Sequence, residues 1–267
     1  MSTPPFIDYY VEADSDGPPE DNMFWCSHLR SIHDDVYGTL KIRPMHPLNL
    51  TEAHNKEIIR ETLDVTGKMG MHHLMTLQCH YDSSVVKQFF STLVIYGDEL
   101  RTMKWMTGTT MIQSYFRIFG QVLGYAIHGR DTPSGHLIIT PIKPSKATIL
   151  APCLTSDGVT GTFSGLSPLY DELVGLFRNS ISPSGGNNDN ICGHLVPLLA
   201  FAHECATNSG SATGYKLDVM DYIFHEMTDA MLNRLSIPYA PYIMMLIRHM
   251  LPSEDFNIDV VHKAEKI

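Results

Sequence analysis

Residues 82–124 decide the fold: DSSVVKQFFSTLVIYGDELRTMKWMTGTTMIQSYFRIFGQVLG. Apolar side chains in the first part recur at the spacing of one helix face, at Val85, Val86, Phe89, Phe90 and Leu93. Two runs rich in β-branched and aromatic residues, 93–96 and 101–107, flank a Gly97-Asp98 turn and favour strands. The helical period returns from Met111. The stretch therefore predicts a packed αββα unit, and no step in it requires a catalytic group.

Asp82 is predicted to cap the first helix of this unit. The rest of the chain is predicted to be mainly helical. One helix is predicted to begin at Ser167-Pro168, one to run over Ile191–Ala206 with a kink at Pro197, and a last one to begin at Pro238 and Pro241. In the most regular helix of the chain, apolar residues alternate steps of three and four, the spacing of helices packed side by side, at Leu217, Met220, Phe224, Met227 and Met231. The predicted fold class is therefore mainly α with a small β-hairpin element (α+β). In this arrangement an N-terminal αββα unit is followed by an all-α C-terminal bundle.

Composition shifts indicate the domain organisation. Residues 1–22 combine acidic residues with prolines and contain no Lys or Arg, so too little apolar surface offsets the chain entropy and a disordered acidic tail is predicted. After it we expect an N-terminal α+β subdomain (23–127), an irregular connector (128–165), a helical C-terminal subdomain (166–252) and a flexible tail (253–267).

Charge and cysteine usage argue against several classes of protein. The net charge is −10, and Lys and Arg are not clustered, which disfavours broad electrostatic binding to nucleic acid. The five cysteines are scattered and form no CxxC pair, so reduced thiols are predicted. With no secretory signal and no apolar run long enough to span a membrane, we expect an intracellular protein of the cytoplasm or nucleus, with no membrane contact.

The nearest approach to a metal motif is His225-Glu226-Met-Thr-Asp229. A zinc-protease helix needs two histidines four residues apart with Glu as the general base, and here Asp229 replaces the second histidine. A metal-assisted hydrolase is the function that such a helix would supply. Because Asp221, His225 and Asp229 recur every four residues, we favour ion pairs on a helix surface instead.

Two further groups combine histidine with cysteine: His72-His73 with Cys79 and His80, and His203-Glu204-Cys205. Adjacent histidines on a helix point about 100° apart, which is a poor geometry for binding one metal ion. Neighbouring residues on a helix do not face each other either, so the second group lacks a nucleophile–base pair. We predict ordinary core and surface side chains, with no catalytic, cofactor-binding or metal site.

Two glycine-rich runs, 158–165 (GVTGTFSG) and 184–187 (SGGN), lack the context of phosphate-binding loops. The first is not followed by Gly-Lys-Ser/Thr, and the second follows no predicted strand. We predict that the glycines of both runs are required by the geometry of their loops.

Residues 101–119 combine aromatic and basic side chains: Trp105, Tyr115, Phe116 and Phe119 with Arg101, Lys104 and Arg117. Such a combination can form a stacking platform for single-stranded nucleic acid. Aromatic residues at helical spacing more often belong to a core, so nucleic-acid binding here is an alternative rather than the favoured function.

Several segments resemble plant retroelement-derived proteins of the Athila ORF-1 and "putative plant transposon protein" group. They are VKQFFSTLVIYGDELRTMKWMTG (86–108), FGQVLGY (119–125), SPLYDELVGLFRNSISPSGGNNDNICGHLVPLLAFAH (167–203), DVMDYIFHEMTDAML (218–232) and PYAPYIMMLIRHM (238–250). The resemblance spans roughly residues 43–251. It lies in the order of the segments, since no single motif in them has a known chemical role.

The resemblance implies a retroelement origin and, by extension, a non-enzymatic scaffold or capsid-like protein that acts by protein–protein association. Helices rich in Met and aromatic residues supply adaptable surfaces for a partner or a second copy, and the 217–231 helix offers one such face. Retroelement gag proteins commonly add a basic zinc-knuckle segment, which this chain lacks. We therefore expect a repurposed or truncated descendant.

Overall fold

The computed structural model describes residues 23–46, 57–77, 79–97, 101–125, 146–159, 161–183, 191, 195–207, 219–233 and 236–256. The predicted acidic tail 1–22 lies outside the described residues, as do half of the predicted connector and all of the C-terminal tail after residue 256. No helix within the described ranges is long and apolar enough to cross a membrane.

The described helices are α1 (Ser27–Ile32), α2 (Glu57–Lys68), α3 (His72–Thr76), α4 (Ser83–Thr92), α5 (Phe116–Val122), α6 (Lys146–Leu150), α7 (Pro168–Ser180), α8 (Leu195–Ala206), α9 (Val219–Asn233) and α10 (Ala240–Met250). A π-helical turn, His33–Tyr37, follows α1. The strands β1 (Val94–Ile95), β2 (Thr102–Thr107) and β3 (Thr110–Tyr115) form an antiparallel sheet in the order β1-β2-β3. The predicted class, mainly α with a small β element, is confirmed.

The third strand corrects the sequence prediction. The helix does not resume at Met111, because the chain forms β3 first and α5 begins only at Phe116. The chain reverses between β2 and β3 in two residues, and Gly108 has a positive φ of 56°. Glycine is favoured at the first central position of such a tight hairpin turn. Residues 111–115 then alternate between exposed and buried, which is the period of a half-buried strand.

Contacts among the described residues define two units, each discontinuous in sequence. The first contains those within 23–42, 79–125 and 229–256, and the second those within 43–77 and 146–228. The predicted subdomains 23–127 and 166–252 each contribute to both units. The spatial division thus differs from the order of segments along the chain.

In the first unit, α4 begins at the predicted cap. One carboxylate oxygen of Asp82 accepts hydrogen bonds from the backbone N–H groups of Ser84 (2.9 Å) and Val85 (3.2 Å). These bonds satisfy amide groups that a helix start leaves without partners. The buried face of α4 packs on β2, and the Phe89 ring lies 5.2 Å from the Trp105 ring. Both rings are fully buried.

In the second unit, α7 and α8 pack on each other and on α2. Helix α7 begins at Pro168 after Ser167, as predicted, although the Ser167 side chain makes no capping hydrogen bond. Of the predicted helix Ile191–Ala206, the structure describes α8 (Leu195–Ala206), and Ile191 itself is not helical.

Candidate interaction site

Strand β3 forms one edge of the described sheet, and β1 forms the other. Strand β3 pairs with β2 along its whole length, and within the described residues no strand pairs with its other edge. An unpaired strand edge presents N–H and C=O groups that can bond to another polypeptide.

The hydrogen-bond pattern shows which backbone groups face outward. The N–H of Phe116 donates to the carbonyl of Arg101 (3.2 Å), so residue 116 faces β2. Backbone groups alternate in direction along an antiparallel ladder. The N–H and C=O groups of Met111, Gln113 and Tyr115 therefore point away from β2, toward the open edge.

The side chains of this edge are apolar or uncharged. Met111 is 64% exposed and Tyr115 is 39% exposed, and Gln113 between them is exposed on the same face. Natural proteins protect open edges with lysine, proline or a bulge. The sequence of β3, TMIQSY, has neither lysine nor proline, and its pairing with β2 runs without a bulge.

A buried glutamine holds the β2–β3 turn in place. Gln88 on α4 accepts a hydrogen bond from the N–H of Gly108 (2.8 Å) and donates to the Gly108 carbonyl (2.8 Å). The same amide nitrogen also donates to the carbonyl of Met23 (2.7 Å). Because α4 is anchored in the core, this clamp fixes the position of the edge strand.

The predicted stacking platform is divided between core and surface. Trp105, Phe116 and Phe119 are buried, and Tyr115 is the exposed member of the four aromatic residues. On the face of the sheet that bears Tyr115, the Lys104 ammonium lies 5.2 Å above the Tyr96 ring. The Arg101 guanidinium lies 5.9 Å from the Phe116 ring.

The residues of the predicted metal motif make contacts along their own helix, α9. His225 is 67% exposed, and its Nε2 lies 3.3 Å from an Asp221 carboxylate oxygen. Asp229 is exposed, and one of its carboxylate oxygens accepts a hydrogen bond from the Asn233 side chain (2.8 Å). Glu226 is half-buried. The Asp221–His225 contact is of the helix-surface kind that the sequence favours.

The predicted apolar face of α9 is covered within the chain. Met220, Phe224 and Met227 are buried and Met231 is half-buried, whereas Leu217 lies outside the described residues. Because Met220, Phe224 and Met227 are buried within the chain, α9 does not present these three side chains to another molecule.

The residues of the first histidine–cysteine group belong to different parts of the fold. His72 and His73 lie on the short helix α3, whereas the Cys79 thiol donates to the carbonyl of its neighbour His80 (3.3 Å). Burial raises the pKa of the Cys79 thiol, although Arg248 opposes the shift. Among the described residues, no three His, Cys, Asp or Glu side chains are arranged to hold a metal ion.

Cys205 is half-buried on α8, and its thiol keeps its proton. Burial and the neighbouring Glu204 carboxylate raise its pKa, while Lys68 lowers it. A protonated thiol is a poor nucleophile.

The structure instead pairs His203 with a tyrosine that sequence reasoning missed. The Tyr170 hydroxyl and His203 Nδ1 share a hydrogen bond of 2.6 Å, which joins α7 to α8. Burial raises the pKa of Tyr170, and Cys153 and Glu61 add to the shift. Burial also raises the pKa of Cys153 to about 12. Tyr170 shares the apolar stripe of Leu173 and Phe177, so its spacing indicated burial but not its partner.

The glycine run 158–165 closes a loop, as predicted. Thr155 N–H donates to the Gly165 carbonyl (2.9 Å), and Leu154 forms a bridge with Leu166. A Cβ atom on Gly158 would overlap the Gly165 carbonyl oxygen. Close approach of the two backbone segments therefore explains Gly158 and Gly165. The second glycine-rich run, 184–187, lies outside the described residues.

The hairpin turn also borders an open pocket of about 380 Å³. Asp82, Glu254 and Asp255 lie in its wall. Asp82 is already engaged by the first turn of α4. No histidine of the described chain lines the pocket.

In comparisons with protein-family models, curated proteins and solved structures, nothing matches this chain. The resemblance to plant retroelement-derived proteins stays a prediction from the sequence.

Proposed function

We propose that this protein is non-enzymatic and acts by association with another polypeptide, in a scaffold-like role, and that it descends from a plant retroelement. The association rests on one observation: β3 presents an unprotected edge within the described sheet, with Met111 and Tyr115 exposed beside it. The origin is supported by the resemblance of the segments between residues 86 and 250.

Strand addition is the binding mode that this edge fits. An extended polypeptide pairs with the outward N–H and C=O groups, which supply affinity, while side chains on alternate positions supply specificity. Met111 is a flexible, polarisable side chain, and Tyr115 offers a large surface with a polar tip. Together with the rigid turn held by Gln88, these residues form a prepared docking edge.

A displayed library of short extended peptides, selected on the wild-type protein, tests this proposal. Gln113→Pro removes an outward N–H but no bond to β2, because the N–H of residue 113 points away from β2. Proline is tolerated at such edge positions of a strand. Gln113→Thr is the matched control, because it keeps the N–H. We expect selected peptides to bind wild type and Gln113→Thr alike and Gln113→Pro about tenfold more weakly. Equal binding to all three proteins would refute the proposal.

Single-stranded nucleic acid is a second candidate for the same face of the sheet. It is favoured by the exposed ring of Tyr115, which lies on the face that also carries Lys104 and Tyr96. Base stacking on one aromatic ring contributes about 1–3 kcal/mol. We expect labelled oligonucleotides to bind only at low salt, and Tyr115→Ala to abolish the binding while Met111→Ala preserves it. No binding at low salt would eliminate this candidate.

The metal-assisted hydrolase built on His225, Glu226 and Asp229 stays a prediction. Metal analysis of the purified protein tests it directly. Stoichiometric zinc that is lost in a His225→Ala variant would overturn the non-enzymatic proposal.

A further inference from the structure

We infer that the strand bound at the outer edge of β3 is β3 of a second copy of this chain, paired antiparallel about a twofold axis through Gln113. This inference rests on the proposed function and names its partner. It follows from the direction of the backbone groups, the positions of the exposed side chains and the lack of charge along the strand.

The backbone groups select the register. When two copies of one strand pair antiparallel, side chains of the same sheet face lie beside each other only if one residue pairs with its own copy across the twofold axis. With Gln113 on the axis, Gln113 pairs with its own copy and Met111 pairs with the partner's Tyr115. All three outward-facing residues then exchange backbone hydrogen bonds. Moving the axis to Ile112 or Ser114 pairs one of them with a turn or helix residue instead.

The side chains fit the same register. Met111 and the partner's Tyr115 are cross-strand neighbours, so the two large exposed side chains of each copy cover each other in a sulfur–aromatic contact. The two Gln113 amides meet at the axis, where each can donate to and accept from the other.

Charge favours a second copy over a charged partner. The strand Thr110–Tyr115 carries no charged side chain, so two copies of a chain with net charge −10 meet here without like-charge repulsion along the strand. A charged partner would find no side chain of opposite charge on this strand. Five paired residues in each strand span only about 17 Å, which is too short to bury the roughly 1,200–2,000 Å² of a standard interface. The dimer is therefore weak and depends on concentration.

Cross-linking of single-cysteine variants tests the register. In the inferred dimer the two residues at position 113 have Cα atoms about 5.5 Å apart, within the range of a disulfide. Under a mild thiol oxidant, Gln113→Cys should form several-fold more linked dimer than wild type or Gln121→Cys, which places cysteine on the exposed side of α5. The wild-type protein measures the amount of dimer linked through the native thiols. Gln121→Cys measures the amount linked by random collision of exposed cysteines.

The neighbouring positions serve as further controls. Met111→Cys alone should not link above the collision level, because its copy lies about 14 Å away along the strand. Met111→Cys mixed with Tyr115→Cys should link. The inference is overturned if Gln113→Cys links no more than Gln121→Cys, or if Met111→Cys alone links as well as Gln113→Cys. The displayed peptides then separate the two proposals. If the cysteine variants do not link but the peptides still require the N–H of residue 113, only the identity of the partner as a second copy is wrong. If the peptides do not require that N–H, the proposed function fails too.

Discussion

At the scale of single residues, Gln88 is a buried side chain that links separate segments of the first unit. Its side chain joins α4 to the β2–β3 turn and to Met23 through three hydrogen bonds. Gln88→Leu leaves one N–H and two carbonyls facing an apolar side chain. We expect the free energy of unfolding to fall by about 2–3 kcal/mol, measured by urea denaturation. The exposed Gln121→Leu on α5 is the matched control, and equal losses in both variants would contradict the clamp.

Two glycines give opposite predictions for the same substitution. A Cβ on Gly158 overlaps the Gly165 carbonyl oxygen, whereas a Cβ on Gly175 in α7 meets nothing within 4 Å. Gly158→Ala should lower the free energy of unfolding by about 1–3 kcal/mol, since backbone must move. Gly175→Ala should raise it by about 0.5–1 kcal/mol, because alanine favours the helix. Thermal denaturation of both variants measures the signs, and two shifts of the same sign would contradict the loop geometry.

At the scale of elements, the π-helical turn contains a histidine that is kept neutral. Burial is the main cause that lowers the pKa of His33 below 6.5, Arg30 and Lys87 also lower it, and Asp34 opposes them. The His33 Nδ1 lies 3.1 Å from the Ser91 hydroxyl oxygen on α4. Ser91 itself donates to the Gln88 carbonyl (3.0 Å), so the imidazole Nδ1–H is the donor.

This lowered pKa predicts a loss of stability in acid. The unfolded chain takes up its proton near pH 6.5 and the folded chain only at lower pH, so His33 contributes stability that is present above pH 6.5 and lost as the pH falls below it. Urea denaturation at a series of pH values should show a flatter dependence for His33→Asn, which keeps a nitrogen donor at the same place. An unchanged pH dependence in that variant would show that His33 does not titrate in this way.

Element prediction from the sequence succeeded where local signals agreed. Helices α4, α7 and α10 combine an apolar stripe with a polar cap or a starting proline: Asp82, Ser167-Pro168 and Pro241. The strand β3 was missed because Met111 and Tyr115 also satisfy the helical spacing of four. The two-residue turn at Gly108, which Gln88 of α4 stabilises, makes residues 111–115 a strand rather than a helix.

At the scale of the whole molecule, long-range contacts limited the prediction from sequence. Within the first unit Ile42 bridges Ile237, and the Ile237 N–H donates to the Lys41 carbonyl (3.0 Å). Within the second unit Tyr170 meets His203 across 33 residues. Local periodicity does not contain such pairings, so neither the discontinuous units nor the Tyr170–His203 pair could be predicted. The edge of β3, where function is proposed, likewise depends on which strands pair.

Light scattering over a concentration series tests most directly whether the outer edge of β3 is where this protein associates. We expect the mass of the wild type to rise from 30.0 kDa toward twice that value as concentration increases. Gln113→Thr, which keeps the backbone N–H, should also rise in mass with concentration, and Gln113→Pro should stay at the monomer mass. A wild-type mass that stays constant, or a Gln113→Pro curve that rises with the wild type, would contradict association through this edge.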